Sequence, residues 1–292
     1  MLASAASCGA AATAARRALR ARRVAAVVFD FAGTVVDYGS CAPLAAFLDV
    51  FAAFGCPVSP AVARAPMGSN KRDHIVEILR APSVARDWAA AHGGAAASEA
   101  DVDALYAAFT PLNVAAARER AAPVPGAVEL LAALRARGIR VGGNSGYNAE
   151  IMQAVVEGAA AHGLALDAVE CAGARNGRPK PWMSTRVLEA LDTFPLGACV
   201  KVDDTLPGIV EGLHAGLWTV GVARSGNELG LSLAEADALQ RDAPAEYAAR
   251  MAAARARFEG AGAHFVIDSV ADLLPVIDEI EARLARGETA VE

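Results

Sequence analysis

The clearest structural signal in this chain is the stretch Ala25-Ala26-Val27-Val28-Phe29-Asp30-Phe31-Ala32-Gly33-Thr34. Its five apolar residues run without a break up to Asp30, a pattern typical of a strand buried on both faces of a parallel sheet. The small and turn-prone residues that follow predict a loop. Because ligands of open parallel sheets bind at the carboxyl ends of the strands, we expect Asp30 to lie in a functional site.

The sequence from about residue 124 onward alternates between strand and helix patterns, which predicts a parallel sheet with helices on both faces. The fold class is therefore α/β, with a doubly wound, Rossmann-like core. Besides the first strand, strands are predicted at 139–143, 168–171, 198–202, 217–222 and 264–267.

The segment between about residues 40 and 120 shows only helical patterns. One helix is predicted from Pro43 to Phe54, and Ser98 with Asp101 resembles a capping box. Pro111 is expected to kink or split the helix in which it lies. We predict a core of residues 24–42 and 120–292, with an all-helical cap of residues 43–119 inserted after the first strand.

Composition limits the classes of function. The chain has 292 residues, of which 54% are hydrophobic, and a formal net charge of −6. Its length suits a core with a smaller domain, and its apolar runs are shorter than the ~20 residues of a membrane helix. The mild negative charge argues against a nucleic-acid partner or an anionic membrane surface. We expect a protein with neither partner.

The first 23 residues are predicted to be disordered or a targeting segment. They contain five arginines, many alanines and no acidic residue. That composition is typical of an organelle transit peptide. Five scattered cysteines without a Cys-x-x-Cys pair favour a reducing compartment. The expected location is the cytoplasm, with an organelle as the alternative.

Three more motifs stand at or soon after the ends of predicted strands: Ser145, the stretch Gly177-Arg178-Pro179-Lys180-Pro181, and Asp203-Asp204. Together with the loop after Asp30, these motifs resemble, in order, those of the haloacid dehalogenase superfamily. The resemblance covers nearly the whole chain. It implies the α/β core predicted above and a phosphoryl-transfer site at the carboxyl edge of the sheet.

The resemblance also implies roles for these residues. Asp30 would be the nucleophile that forms an aspartyl phosphate. Mg²⁺ would be held by the Asp30 carboxylate, the Ala32 carbonyl and the Asp204 carboxylate, with Asp203 as a competing ligand. Ser145 would hydrogen-bond a phosphoryl oxygen, and Arg178 would stabilise the phosphate and Asp30.

Ala32 departs from the pattern of ordinary phosphatases in the superfamily, which carry a second aspartate two residues after the nucleophile. That aspartate protonates the leaving alkoxide and later activates water. Alanine can do neither, so the leaving group must depart by another route. Gly208 also stands where many relatives have a further acidic residue.

Lysine is rare in this chain, since only Lys71, Lys180 and Lys201 occur among 27 basic residues. Lysine can form an imine and arginine cannot. Lys71 lies in Met67-Gly68-Ser69-Asn70-Lys71-Arg72-Asp73-His74, which closely resembles the cap motif of the phosphonoacetaldehyde hydrolase (phosphonatase) family. Further matches to that family are dispersed along the chain, among them 37–39, 42–44, 146–147, 181–183, 215–221 and 262–265.

The resemblance to the phosphonatase family implies hydrolysis of the carbon–phosphorus bond of phosphonoacetaldehyde through a Schiff base on Lys71. His74, three residues further on the same helix, is expected either to relay protons or to pack structurally. Met67, Gly146 and Tyr147 are expected to bind substrate, although core packing also explains Met67 and Tyr147. The family resemblance further suggests a homodimer.

Two positions differ from the family pattern. Ser40, followed by Cys41, stands where some phosphonatases have a cysteine near the imine, and Asn144-Ser145 replaces two threonines. Serine still donates a hydrogen bond, so neither change removes a required function.

Two rival functions follow from the same motifs. One is a phosphatase or dehalogenase of the superfamily, against which Ala32 and the cap lysine argue. The other is a degenerate, non-catalytic module that binds phosphate or mediates dimerisation. Such a module would be expected to lose the charged residues of the site, yet Asp30, Ser145, Arg178 and Asp204 all remain.

Overall fold

The structure is a computed structural model that describes residues 23–173 and 177–291. The prediction of a disordered or targeting segment concerns residues 1–23 and, apart from Arg23, lies outside the described residues. None of the helices in the described part of the chain combines the length and hydropathy that a bilayer crossing requires.

Within the described residues, six parallel strands form one sheet in the order β3-β2-β1-β4-β5-β6. This is the order of a doubly wound Rossmann-like sheet, and its crevice lies at the carboxyl end of β1. All six predicted strands are present within two residues at each end. The strands are β1 (Ala26–Phe29), β2 (Arg140–Ser145), β3 (Ala168–Cys171), β4 (Cys199–Asp203), β5 (Trp218–Val222) and β6 (Phe265–Ile267).

Helices cover both faces of the sheet because the alternate residues of β1 enter two separate apolar clusters. Val27 and Phe29 pack in one cluster, and Ala26 and Val28 pack in the other. The helices of this α/β part are α6 (Ala127–Ala136), α7 (Ala149–Ala161), α8 (Trp182–Ala190), α9 (Leu206–His214), α10 (Leu233–Asp242), α11 (Pro244–Gly260) and α12 (Leu273–Arg286).

Five helices lie between β1 and α6, and we call residues 41–119 the helical insert. The described chain has no strand between β1 and β2, as predicted. Ser98 and Asp101 form the predicted capping box. The helices of the insert are α1 (Cys41–Ala53), α2 (Pro60–Arg64), α3 (Lys71–Arg80), α4 (Pro82–Ala91) and α5 (Glu99–Glu119).

Pro111 was predicted to kink or split its helix. It does not split it, because α5 continues across Pro111 without interruption. Phe109 and Asn113, on either side of the proline, are both fully buried. The helix packs against α1 and α7. Tertiary packing therefore outweighs the backbone hydrogen bond that proline removes.

Candidate active site

The strand register brings three polar residues to one level of the sheet. Phe29 at the end of β1 pairs with Gly143 in β2 and with Val202 in β4. The residues that follow each of these, Asp30, Asn144 and Asp203, therefore lie side by side at the carboxyl edge. All three are buried.

Three carboxylates converge at this edge. One oxygen from each of Asp30, Asp203 and Asp204 lies within 4.8 Å of the others. Burial raises the pKa of Asp30, against the opposing effect of Arg178. Three buried carboxyl groups this close together can all be ionised only with positive charge nearby.

Asp203 receives that charge from the protein itself. Its Oδ2 lies 2.9 Å from Lys201 Nζ and 3.0 Å from an Arg178 nitrogen. Burial raises the pKa of Asp203, but Arg178 and Lys201 together bring it below its usual value.

Asp204 has neutral partners instead. Its Oδ1 accepts a hydrogen bond from Thr34 Oγ1 at 3.0 Å, and its Oδ2 accepts one from the Asn227 amide at 2.8 Å. Burial, with the charges of Asp30 and Asp203, raises its pKa well above the usual range. A divalent cation at Asp30 and Asp204 would supply the missing charge, so the donor set fits Mg²⁺. Gly208 packs against the Asp203 carboxylate, and a Cβ there would lie 2.0 Å from it.

Arg178 connects Asp30 to the rest of the site. Its Nη2 donates to Asp30 Oδ1 at 2.7 Å and its Nε donates to Glu211 Oε2 at 2.9 Å. Its Nη1 also contacts the carbonyl of Gly68 in the helical insert at 3.4 Å. The guanidinium plane is thus fixed by bonds on three sides.

Lys71 enters the same site from the helical insert. It begins α3, directly after Asn70, whose side chain caps the helix by accepting the Asp73 amide at 2.9 Å. The Lys71 amine lies 5.1 Å from the centroid of the Tyr147 ring and 5.8 Å from that of Phe47. Burial lowers the pKa of Lys71 to about 8, although the charge of Asp30 opposes this shift.

One small cavity, of about 10 Å³, brings most of the predicted residues together. It has room for little more than one water molecule. The predicted residues that line it are Asp30, Ala32, Met67, Lys71, Ser145, Gly146, Tyr147 and Arg178, and the others are Ser40, Pro43, Gly68 and Thr205.

The helical insert and the core meet tightly around this cavity. A Cβ on Gly146 would lie 2.5 Å from the Ser69 carbonyl and 2.7 Å from the Gly68 carbonyl. Only glycine allows so close an approach at position 146. A second cavity, of about 530 Å³, lies next to Lys71 and is lined by Asn70, Asp73, Tyr106 and Asn148 among others.

His74 lies outside the set of residues that line the small cavity. It is fully buried, its ring centroid lies 4.0 Å from that of Phe47, and its Nε2 contacts the Ala63 carbonyl at 2.8 Å. Since a carbonyl only accepts, Nε2 carries the proton and Nδ1 is a bare acceptor. Burial and the nearby Lys71 lower the pKa of His74 well below its usual value.

Comparison with known proteins agrees with this geometry. A model of the haloacid dehalogenase-like hydrolase family matches residues 24–216. The phosphonoacetaldehyde hydrolase of Paraburkholderia xenovorans is 48% identical over 91% of this chain and 99% of that enzyme. That of Hahella chejuensis is 47% identical over 90% of this chain and 89% of that enzyme.

The chain belongs to the phosphonoacetaldehyde hydrolase family. It is an enzyme of the hydrolase class. Among solved structures, a phosphonoacetaldehyde hydrolase-like protein from Oleispira antarctica superposes with a TM-score of 0.87 at 42% identity, covering 91% of this chain and 95% of that one.

In this member of the phosphonoacetaldehyde hydrolase family, the sequence did not predict a buried polar network that lies next to Arg178. Asn144 donates to Glu211 Oε1 at 2.9 Å and accepts from Lys201 Nζ at 2.7 Å. Ser184 Oγ also donates to Glu211 Oε1 at 2.9 Å. The rarity of lysine was a signal for Lys201, but nothing in the sequence distinguishes Glu211 from a solvent-facing acid on α9.

Proposed function

We propose that the chain hydrolyses the carbon–phosphorus bond of phosphonoacetaldehyde to acetaldehyde and phosphate. The observation that carries the proposal is that a buried lysine amine and a buried aspartate line one small cavity. At the position two residues after that aspartate, Ala32 provides no acid for an alkoxide leaving group. The names of the relatives support the same reaction.

Lys71 would first attack the aldehyde carbon of the substrate. Its lowered pKa, about 8, leaves a larger neutral fraction at physiological pH than an ordinary lysine has. The attack gives a carbinolamine, which loses water to form an imine. His74, with its bare Nδ1, would relay protons between Lys71 and the leaving water.

Asp30 would then attack phosphorus. The bond between Asp30 and phosphorus forms while the carbon–phosphorus bond breaks, and its electron pair passes into the protonated imine to give an enamine. Arg178 holds the attacking carboxylate at 2.7 Å. Ser145 and Arg178 would bind the phosphoryl oxygens as their charge develops.

Mg²⁺ held by the Asp30 carboxylate, the Ala32 carbonyl and the Asp204 carboxylate would neutralise the phosphoryl oxygens and the carboxylates around them. Asp203 is a poorer candidate ligand because Lys201 and Arg178 already neutralise it. The donor chemistry agrees with an oxygen-preferring cation.

Water completes the reaction in two places. One molecule hydrolyses the aspartyl phosphate to release phosphate and regenerate Asp30. Protonation of the enamine at carbon and hydrolysis of the imine release acetaldehyde and regenerate Lys71. The water lost when the imine forms balances the water used to hydrolyse it, so one water is consumed per turnover.

Several further assignments accompany this proposal. Met67, Gly146 and Tyr147 enclose the two-carbon part of the substrate. Residues 43–119 act as a cap that opens and closes over a core of residues 24–42 and 120–292. The enzyme works as a homodimer in the cytoplasm.

Mass spectrometry after borohydride treatment with phosphonoacetaldehyde and Mg²⁺ tests the proposal. A reduced two-carbon adduct on Lys71, absent from the exposed Lys180 and from a Lys71→Met variant, is the expected result. Release of one phosphate per acetaldehyde completes the test. Folded protein that releases phosphate without any Lys71 adduct would remove the imine from the mechanism, and folded protein without phosphate release would refute the function.

A further inference from the structure

Arg64, the last residue of α2 in the helical insert, contacts two separate segments outside its own helix. Its Nη1 donates to the Gly39 carbonyl at 2.9 Å and to Asn227 Oδ1 at 3.0 Å. The same nitrogen lies 3.4 Å from the Ser40 carbonyl, and Nη2 donates to the Gly230 carbonyl at 3.0 Å. Every one of these acceptors is neutral, so the arrangement depends on the shape of the guanidinium group rather than on an ion pair.

The segments that Arg64 contacts have different places in the fold. Gly39 and Ser40 connect β1 to the helical insert, whereas Asn227 and Gly230 belong to the loop that follows β5. We call residues 225–230 the β5 loop. Arg64 therefore joins the insert to its own connection and to a distant part of the core.

The β5 loop also holds the acidic cluster. The Asn227 amide donates to Asp204 Oδ2 at 2.8 Å, and Ser225 Oγ donates to the carbonyl of Gly33 in the loop after Asp30 at 3.0 Å. Asn227 thus binds Arg64 through its side chain and Asp204 through its backbone. A single residue, Asn227, therefore links the contact with the insert to the Asp204 carboxylate.

The β5 loop is shaped around the guanidinium group. Gly230 has a φ of 66°, and a Cβ at that position would lie 2.8 Å from Arg64 Nε and 3.0 Å from its Cζ. A left-handed glycine at the point of contact leaves the space that the side chain occupies. A surface arginine that merely covers the core would not require this space.

From these contacts we infer that Arg64 is a positioning residue, which couples the seating of the helical insert on the core to the position of the Asp204 carboxylate. When the insert is seated, Arg64 fixes Asn227, and the Asn227 amide fixes Asp204 Oδ2. When the insert lifts, the loop loses these bonds and Asp204 loses a defined orientation. As a result, Asp204 is correctly oriented only in the seated state, in which Lys71 also lies close to Asp30. The inference rests on the proposed function for its catalytic consequence.

Amide hydrogen exchange of the metal-free full-length chain tests the coupling without any turnover. In Arg64→Gln, we expect the amides of the β5 loop to exchange roughly 10-fold faster than in the unmodified protein. Arg86→Ala, which removes an exposed arginine from α4 of the same insert, is the matched control and should leave these amides unchanged. Unchanged exchange in Arg64→Gln would overturn the inference.

Steady-state kinetics provide the second readout. Removing a residue that orients a metal ligand typically reduces metal affinity or activity roughly 10–100-fold. In Arg64→Gln we expect the Mg²⁺ concentration at half-maximal rate to rise and kcat to fall by factors in that range. Arg64→Lys should recover part of the loss, because its amine can still donate to some of these acceptors. Recovery should be incomplete, because a single nitrogen reaches fewer acceptors than the guanidinium group does. A fall in kcat with unchanged Mg²⁺ dependence contradicts the coupling.

Asn227→Ala keeps the test decisive if Arg64→Gln does not fold. It removes the Oδ1 acceptor but retains the amide that contacts Asp204, so it should produce the same two changes in smaller measure. If both single variants fold, their effects should be less than additive in the double variant Arg64→Gln with Asn227→Ala, because both changes break the same connection. Full additivity contradicts the inference. If the unmodified enzyme releases no phosphate from phosphonoacetaldehyde, the proposed function fails, and the exchange experiment still decides the role of Arg64.

Discussion

Lys71 is the residue whose side-chain amine the proposed chemistry requires. Burial lowers its pKa to about 8, against ~10.4 for an exposed lysine. The neutral, reactive fraction grows as pH rises through the pKa. We therefore predict that the rate of adduct formation on Lys71 rises with pH and is half-maximal near pH 8. In Asp30→Asn the midpoint should shift to lower pH, because the negative charge that raises the Lys71 pKa is gone. Trapping with borohydride across this pH range measures both, and a midpoint near that of an exposed lysine would contradict the proposed burial.

Ala32 is the residue that separates this site from those of ordinary phosphatases. It lines the same small cavity as Asp30, where the site already contains three carboxylates. Ala32→Asp adds a fourth negative charge beside the phosphonate, and two like charges ~4 Å apart repel by several kcal/mol even at an effective dielectric constant of 20. We predict that kcat/KM for phosphonoacetaldehyde falls about 10-fold or more. Ala32→Asn introduces a side chain of about the same volume as that of Ala32→Asp but without the charge. It should be clearly more active than Ala32→Asp. Equal losses in the two variants would assign the effect to volume alone.

At the scale of elements, β2, β4, α8 and α9 each contribute one residue to the buried network behind Arg178. Glu211 on α9 is its centre, since it accepts from Asn144, Ser184 and Arg178. Glu211→Gln removes the charge that faces the Arg178 Nε. Breaking a buried ion pair at one partner typically costs ~3–5 kcal/mol. We predict a loss of that order in the free energy of unfolding, measured by urea denaturation. Glu189→Gln, at an exposed position on α8, is the matched control, and an equal effect there would refute the role of the network.

The same elements show what could be predicted from the sequence. The strands were predictable because unbroken apolar runs such as Val27–Phe29 are typical of a buried parallel strand, and the order of the motifs at their ends indicated the site. The continuity of α5 through Pro111 was not, because it depends on packing against α1 and α7, which lie far away in sequence. The network of Asn144 and Glu211 was equally hidden, since these residues meet only when the sheet has formed. Local patterns thus predict elements, whereas the partners of buried polar groups require the tertiary structure.

At the scale of the whole molecule, the cavity of about 10 Å³ that Asp30 and Lys71 share has room for little more than one water molecule. If the helical insert acts as the proposed cap, its opening would admit substrate to this cavity and its closure would precede the chemistry. A contact that holds the insert in place would then limit this opening. A second subunit bound to the insert would be one such constraint, which makes the assembly relevant to the mechanism.

The proposed homodimer has a candidate surface on α1. Leu44, Leu48 and Ala52 are spaced four residues apart and so lie on one face of the helix, where each retains exposed surface. If this face is the dimer contact, the unmodified protein should sediment at about twice the chain mass of 29.8 kDa. Ala52→Glu places a charge in the contact without disturbing the core, since Ala52 is exposed, and should yield a monomer. Ala107→Glu makes the same change at an exposed position on α5 and should remain dimeric. Monomeric unmodified protein would refute the dimer. A dimeric Ala52→Glu variant would show that the two subunits meet through a surface other than this face of α1.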